Sequence, residues 1–189
     1  METIQKDRTV RKQLLKTAEG YLELAMVFDD RWTLPNEIKA NLVHHALAAL
    51  EQAEQKKGDS APILYLRGCA YKVAGEFEKA AHALTQVLEI NDRFTGAYLA
   101  LGWCYKRLDR LDLAIEALQF GVMRQPNHAV LHYNLACYFA LSKQSENCIG
   151  HLKQALALDG TLVQSVSKEP DFDQVRTFPA FTAVMEVLI

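Results

Sequence analysis

Residues 61–94 read APILYLRGCAYKVAGEFEKAAHALTQVLEINDRF, and residues 95–128 read TGAYLALGWCYKRLDRLDLAIEALQFGVMRQPNH. Laid one under the other, they keep the same small and large positions. Gly68 falls on Gly102, Tyr71 on Tyr105, Ala80 on Ala114, Leu84 on Leu118 and Leu88 on Val122. The same interval leads on to Ala136, Phe139, Cys148, Leu152 and Leu156. A fixed period of this length marks stacked copies of one small unit rather than a single-core globule. Such stacks offer an extended surface, and most of them hold partners rather than catalyse.

One period has a physical reading. Ser60 and Pro62 open a helix, because serine caps free N–H groups and proline is tolerated in the first turn. Leu64, Gly68 and Tyr71 recur at helical spacing, and Gly75 ends the helix. Phe77, Ala80, Ala81, Leu84, Val87 and Leu88 form the apolar stripe of a second helix, and Asn91-Asp92 makes the next turn. Two short helices joined by a brief turn lie antiparallel. Gly68 and Ala80 let the two backbones approach, while Tyr71 and Leu84 fill the space beside them. In residues 129–162, Lys143 and Ser145 replace the turn glycine and aromatic, which predicts a looser turn there.

Working outward, Ala46, Leu50 and Ala53 lie one full period before Ala80, Leu84 and Val87. Tyr21, Leu24, Ala25 and Phe28 match the first-helix pattern, so residues 1–60 hold a divergent first pair, with residues 4–19 extending or capping it. An insertion, 29–36, containing Trp32 and Pro35, lengthens its turn and is a candidate lid, though inserted loops are more often decoration.

The small–aromatic–small–large pattern over residues 61–162 resembles the tetratricopeptide repeat family. The resemblance implies an all-α, right-handed α-solenoid of stacked antiparallel helix pairs. Its expected parts are the divergent pair in 1–60, repeats at 61–94, 95–128 and 129–162, and a capping segment at 163–189. That last stretch, from Lys168-Glu169-Pro170-Asp171-Phe172 to Arg176, Pro179 and Phe181, is similar to the closing module of many bacterial-type stacks. Phe172, Val175, Phe178, Phe181, Val184 and Leu188 are expected to cover the outer side of the last second helix. Each such burial stabilises by roughly 1.5–3 kcal/mol before entropy is counted.

The resemblance further implies that first helices line a concave groove. The side chains expected there are Tyr65, Cys69 and Lys72, then Leu99, Trp103, Lys106 and Arg107, then Tyr133, Cys137 and Ala140. An aromatic residue beside Lys and Arg suits a peptide with apolar anchors and an acidic flank. The competing reading is packing between repeats for Trp103 and Tyr133, and a solvated rim for Lys72, Lys106 and Arg107. Some relatives clamp chaperone C-termini with an inward set of Lys, Asn and Arg. Here Tyr65, Cys69, Ala100, Val130 and Asn134 hold the corresponding places, and only Asn134 fits that set.

Composition narrows the function. Half of the 189 residues are apolar, enough to bury an extensive core, and the 21 basic and 23 acidic residues nearly balance. That balance argues against a nucleic-acid binder. Residues 1–16 are charged and contain no signal or membrane span, which points to a cytoplasmic protein. The four cysteines, Cys69, Cys104, Cys137 and Cys148, form no CxxC pair and suit packed helices in a reducing compartment.

Candidates for chemistry are weak. His128 and His132 stand four apart and can face one metal, but His132 takes the place of Leu64 and Tyr98, which favours packing. His44 and His45 point about 100° apart on a helix. Cys137 near His132 or His151 would be a nucleophile–base pair without an orienting partner. Glu76, Glu78, Asp109 and Asp112 sit at turns and helix starts, where the helix dipole accounts for them. No phosphate loop or dinucleotide fingerprint is present. The expectation is a non-enzymatic scaffold for a protein or peptide partner, with no cofactor. The alternatives are a self-associating homo-oligomer and, less favoured, a metal- or Cys/His-dependent enzyme.

Overall fold

The computed structural model describes residues 2–31 and 34–186. The side chain of Phe28, Trp32 in the insertion and Leu188 at the end lie outside the described residues. The described residues are helical and contain no strand. The chain divides into two compact units, Met1–Cys104 and Tyr105–Ile189.

The first unit holds α1 (Glu2–Arg31), α2 (Asn36–Glu54), α3 (Ala61–Ala74), α4 (Phe77–Ile90) and most of α5 (Thr95–Arg107). Helix α1 is continuous, so residues 4–19 extend the first helix. It also runs through Asp29, Asp30 and Arg31, so the start of the expected insertion is helix rather than loop. Helices α1 and α2 pack together, as do α3 and α4, and α3 also meets α1 and α2. Ala18, Leu22, Ala46, Leu50, Ala53, Ile63 and Ala70 form the core between them. Arg11 is buried on α1 and donates from Nη2 to the Asp59 carbonyl, tying α1 to the turn before α3.

The start of α3 differs from expectation. The Ser60 side chain makes no cap bond. Asp59 caps instead, its Oδ1 accepting from the Ala61 N–H at 3.0 Å. The ionised oxygen is the stronger acceptor and complements the positive helix end.

The second unit holds α6 (Leu111–Arg124), α7 (Ala129–Leu141), α8 (Ser145–Leu158), α9 (Val163–Lys168) and α10 (Pro179–Glu186), with 3-10 turns at Gly160–Leu162 and Pro170–Phe172. Helix α7 packs on α6 and α8, and α10 on α8.

Burial repeats with the sequence. Ala46, Leu50 and Ala53 on α2, Ala80, Leu84 and Val87 on α4, Ala114 and Leu118 on α6, and Cys148, Leu152 and Ala155 on α8 are all cut off from solvent. The close glycine contact is present as well. A Cβ placed on Gly68 would stand 2.8 Å from Leu84 Cγ.

The turns repeat too. Gly75 has φ 80°, and its N–H donates to Lys72 O while Glu76 N–H donates to Tyr71 O. Asp109 (φ 58°) and Lys143 (φ 61°) occupy the same left-handed position. Arg110 N–H then reaches Tyr105 O at 2.9 Å, and Gln144 N–H reaches Phe139 O at 2.8 Å. The turn at Lys143 is therefore as tight as the first. The paired carbonyls of the helix end require this geometry whichever residue stands there.

Candidate functional site

In the first unit, Tyr65, Cys69 and Lys72 line one side of α3, and Leu99 and Trp103 lie on α5. Trp103 is 38 % exposed. Lys72 Nζ sits 5.2 Å from the indole centroid, within cation–π range. Phe77, which begins α4, meets the indole edge-on at 5.4 Å. Tyr65 stacks at a tilt on Phe94, ring centroids 4.7 Å apart. Burial, and then the neighbouring Cys69, raise the Tyr65 hydroxyl pKa above its ordinary value. Cys69 itself is buried, and its thiol pKa is raised, chiefly by burial.

In the second unit the matching residues are covered by the chain itself. The Pro170–Phe172 turn lies on α7. Lys106 Nζ meets Asp171 Oδ2 at 2.5 Å and stands 5.6 Å over the Tyr138 ring. Phe172 has no exposed surface. Its ring meets Tyr133 edge-on at 5.9 Å and Phe181 at 5.6 Å. Arg176 braces the turn, Nη2 donating to the Glu169 carbonyl at 2.6 Å. This corrects the expected task of the end segment. Helix α10, which buries Phe181 and Val184, packs on α8, but Phe172 turns onto the first helix of the last pair, and Phe178 stays partly exposed. Tyr133 is thereby half-buried, and Cys137 and Ala140 are buried. Burial raises the Cys137 thiol pKa, and the Glu169 and Asp171 carboxylates raise it further. Arg107, at the end of α5, is exposed.

Phe77, Phe94, Tyr138 and Asp171 belong to these surfaces, but the sequence pattern did not place them there. Phe77 and Phe94 stand at helix starts, Tyr138 lies inside α7 and Asp171 in the Pro170–Phe172 turn, and a period alone assigns none of them to a neighbour.

The chemical candidates resolve into packing. His132 is 6 % exposed. Its Nε2 bonds the Pro126 carbonyl and its Nδ1 meets His151 Nδ1, both at 2.9 Å. A carbonyl only accepts, so His132 carries its proton on Nε2 and accepts from His151 at Nδ1. His128 is not its ring partner. His151 stacks on Phe139, and burial followed by His132 lowers its pKa. His45 stacks on Tyr21 rather than pairing with His44 for an ion. The four cysteines are free and buried, and burial pushes Cys104 and Cys148 up to about 11. Such thiols stay protonated at neutral pH, the opposite of a nucleophile's environment. Among the described residues no three His, Cys, Asp or Glu side chains gather as a metal site. Glu76 sits at the N-cap of α4 without a side-chain cap bond and pairs with Lys79.

Helix pairs that recur at a fixed interval and bury the same small and large positions define an all-α solenoid. Residues 73–136 match the model of the tetratricopeptide repeat family. Within those residues the chain carries tetratricopeptide repeat sequence. Comparison with curated proteins gives no match. Solved structures of similar fold include a crystal structure of MamA at 21 % identity, covering 85 % of this chain and 89 % of that one, with a TM-score of 0.58. MamA 41-end from Desulfovibrio magneticus RS-1 is also 21 % identical, over 90 % and 94 %, with a TM-score of 0.57. At this identity the likeness is one of fold.

Proposed function

We propose that the chain is a non-enzymatic protein-interaction module that holds a peptide or partner subunit against its first-helix surfaces. The observation that carries this reading is Trp103, a large aromatic side chain left partly exposed with the Lys72 ammonium fixed over its ring. Aromatic anchors beside fixed cations are the usual centres of binding energy at interfaces. The protonated, buried thiols support a role without covalent chemistry. They also support a reducing, cytoplasmic setting, and no described helix is long and apolar enough to cross a membrane. The test is affinity capture with the full chain against Trp103→Ala, both checked for helicity. The proteins retained by the first should be lost from the second, and identical retained sets would remove the reading.

A second reading is self-association through the second helices. Phe120 and Met123 on α6 are exposed, Met123 by 65 %, and they line a groove of about 520 Å³ with Leu135 and His151. Light-scattering mass across concentrations checks it. A dimer dispersed by Met123→Lys would support it, and a monomer throughout would end it.

A further inference from the structure

The chain carries its own example of what a first-helix surface takes. In the second unit the Asp171 carboxylate accepts from Lys106 Nζ, and the next residue, Phe172, sets its ring against Tyr133. One repeat earlier, Lys106 becomes Lys72 and Tyr133 becomes Leu99, with the sequence spacing between the two kept. Lys72 lies over an aromatic ring, Trp103, just as Lys106 lies over Tyr138. The platforms differ by one position in register, since one full period on from Trp103 stands Cys137.

The occupant is the difference. Among the described residues no carboxylate meets Lys72, and Trp103 keeps more than a third of its surface. The indole already restrains the Lys72 ammonium, so a carboxylate arriving there forms a charge-assisted bond with little further ordering. Leu99 is smaller than Tyr133 and stays half-buried, so an incoming ring would meet it and the exposed part of the indole. We infer that the Lys72–Leu99–Trp103 surface binds a linear peptide in which an aspartate is followed directly by an aromatic residue. This rests on the interaction reading above and gives its partner a chemistry. The occupant is a separate protein rather than a second copy, because a second copy would have to withdraw its own wholly buried Phe172.

The probe is a fluorescein-labelled peptide with the sequence of residues 166–175, VSKEPDFDQV, titrated with the full chain by anisotropy. Saturable binding is expected. It should weaken at least about tenfold on Lys72→Glu, on asparagine for the first aspartate of the peptide, or on alanine for its phenylalanine. Lys153→Ala, an exposed position on α8, should leave it unchanged. Circular dichroism checks each variant, and Lys72→Met, which keeps the aliphatic stem, replaces Lys72→Glu if that one unfolds. No saturation up to about 1 mM overturns the inference. So does binding lost on Lys106→Ala but kept on Lys72→Glu, which would mean displacement of the end segment. If the peptide fails while Trp103→Ala still loses its captured proteins, the surface binds other chemistry and the interaction reading stands. Failure of both removes both.

Discussion

Lys106 and Asp171, 65 residues apart, close the end segment over the last first helix with an N–O distance of 2.5 Å. The Asp171 side chain is 14 % exposed and that of Lys106 33 %, so the pair is sheltered more on the acidic side. A hydrogen bond to a charged group contributes about 1.5–3 kcal/mol when buried, and the exposure of the lysine lowers this to roughly 1–2 kcal/mol. A double-mutant cycle with Lys106→Ala and Asp171→Ala, read by urea unfolding, should give a coupling of that size. Hydrogen exchange at Phe172 and Val175 should accelerate in Asp171→Ala. A coupling near zero would reduce the pair to an ordinary surface contact.

Gly68 and Gly150 predict opposite signs for one substitution. Alanine gains about 1 kcal/mol over glycine in a helix. At Gly150 on α8 a Cβ meets nothing within 4 Å, so Gly150→Ala should stabilise by about that amount. At Gly68 the same atom falls 2.8 Å from Cγ of Leu84, which has no exposed surface to retreat into. Overpacking of this kind costs about 1–3 kcal/mol and should outweigh the propensity gain. Urea midpoints moving in the same direction for both variants would contradict the close-contact account.

That contact was legible in the sequence because glycine and alanine recur at facing positions, and a period reports which residues are interchangeable. The destination of Phe172 was not. Its apolar character says that it is buried, but nothing local distinguishes α7 from α8 as the surface it covers. The same limit hid Asp171 as the partner of Lys106. Capping by Asp59 rather than Ser60 was hidden for a smaller reason: both are good caps one residue apart, and the backbone angles decide between them. The Trp103 surface was partly legible. Its aromatic and basic residues were on the page, whereas the fixing of Lys72 over the indole depends on which rotamers the neighbouring helix permits.

Lys143 tests whether the turn geometry is imposed on the residue. It holds φ 61° where the first repeat has Gly75, and it makes the same backbone bonds. A non-glycine residue in the left-handed region carries about 1 kcal/mol of strain. Lys143 is exposed, so its side chain gives little packing in return. Lys143→Gly should therefore stabilise by at most about 0.6 kcal/mol, after the added entropy of glycine in the unfolded chain is subtracted. A loss of stability would mean that the lysine side chain contributes at the turn.

His151 makes stability depend on pH. In the folded chain its pKa lies below the ordinary 6.5, because burial and then His132 disfavour the charged form. The unfolded chain takes up the proton first as pH falls. Between the two values the unfolded state binds more protons, so stability rises with pH there. The contribution is complete above about 6.5 and is lost as pH falls through the folded value. A charged His151 still donates from Nδ1 to His132, because both nitrogens of an imidazolium are donors, so the cost lies in burying the charge beside His132. Urea unfolding between about pH 7.5 and about pH 5, a range that brackets the ordinary histidine value, should show stability declining toward acid. His151→Gln can still donate to His132 and does not titrate, so it should flatten the slope. An undiminished slope in that variant would assign the acid sensitivity to another group.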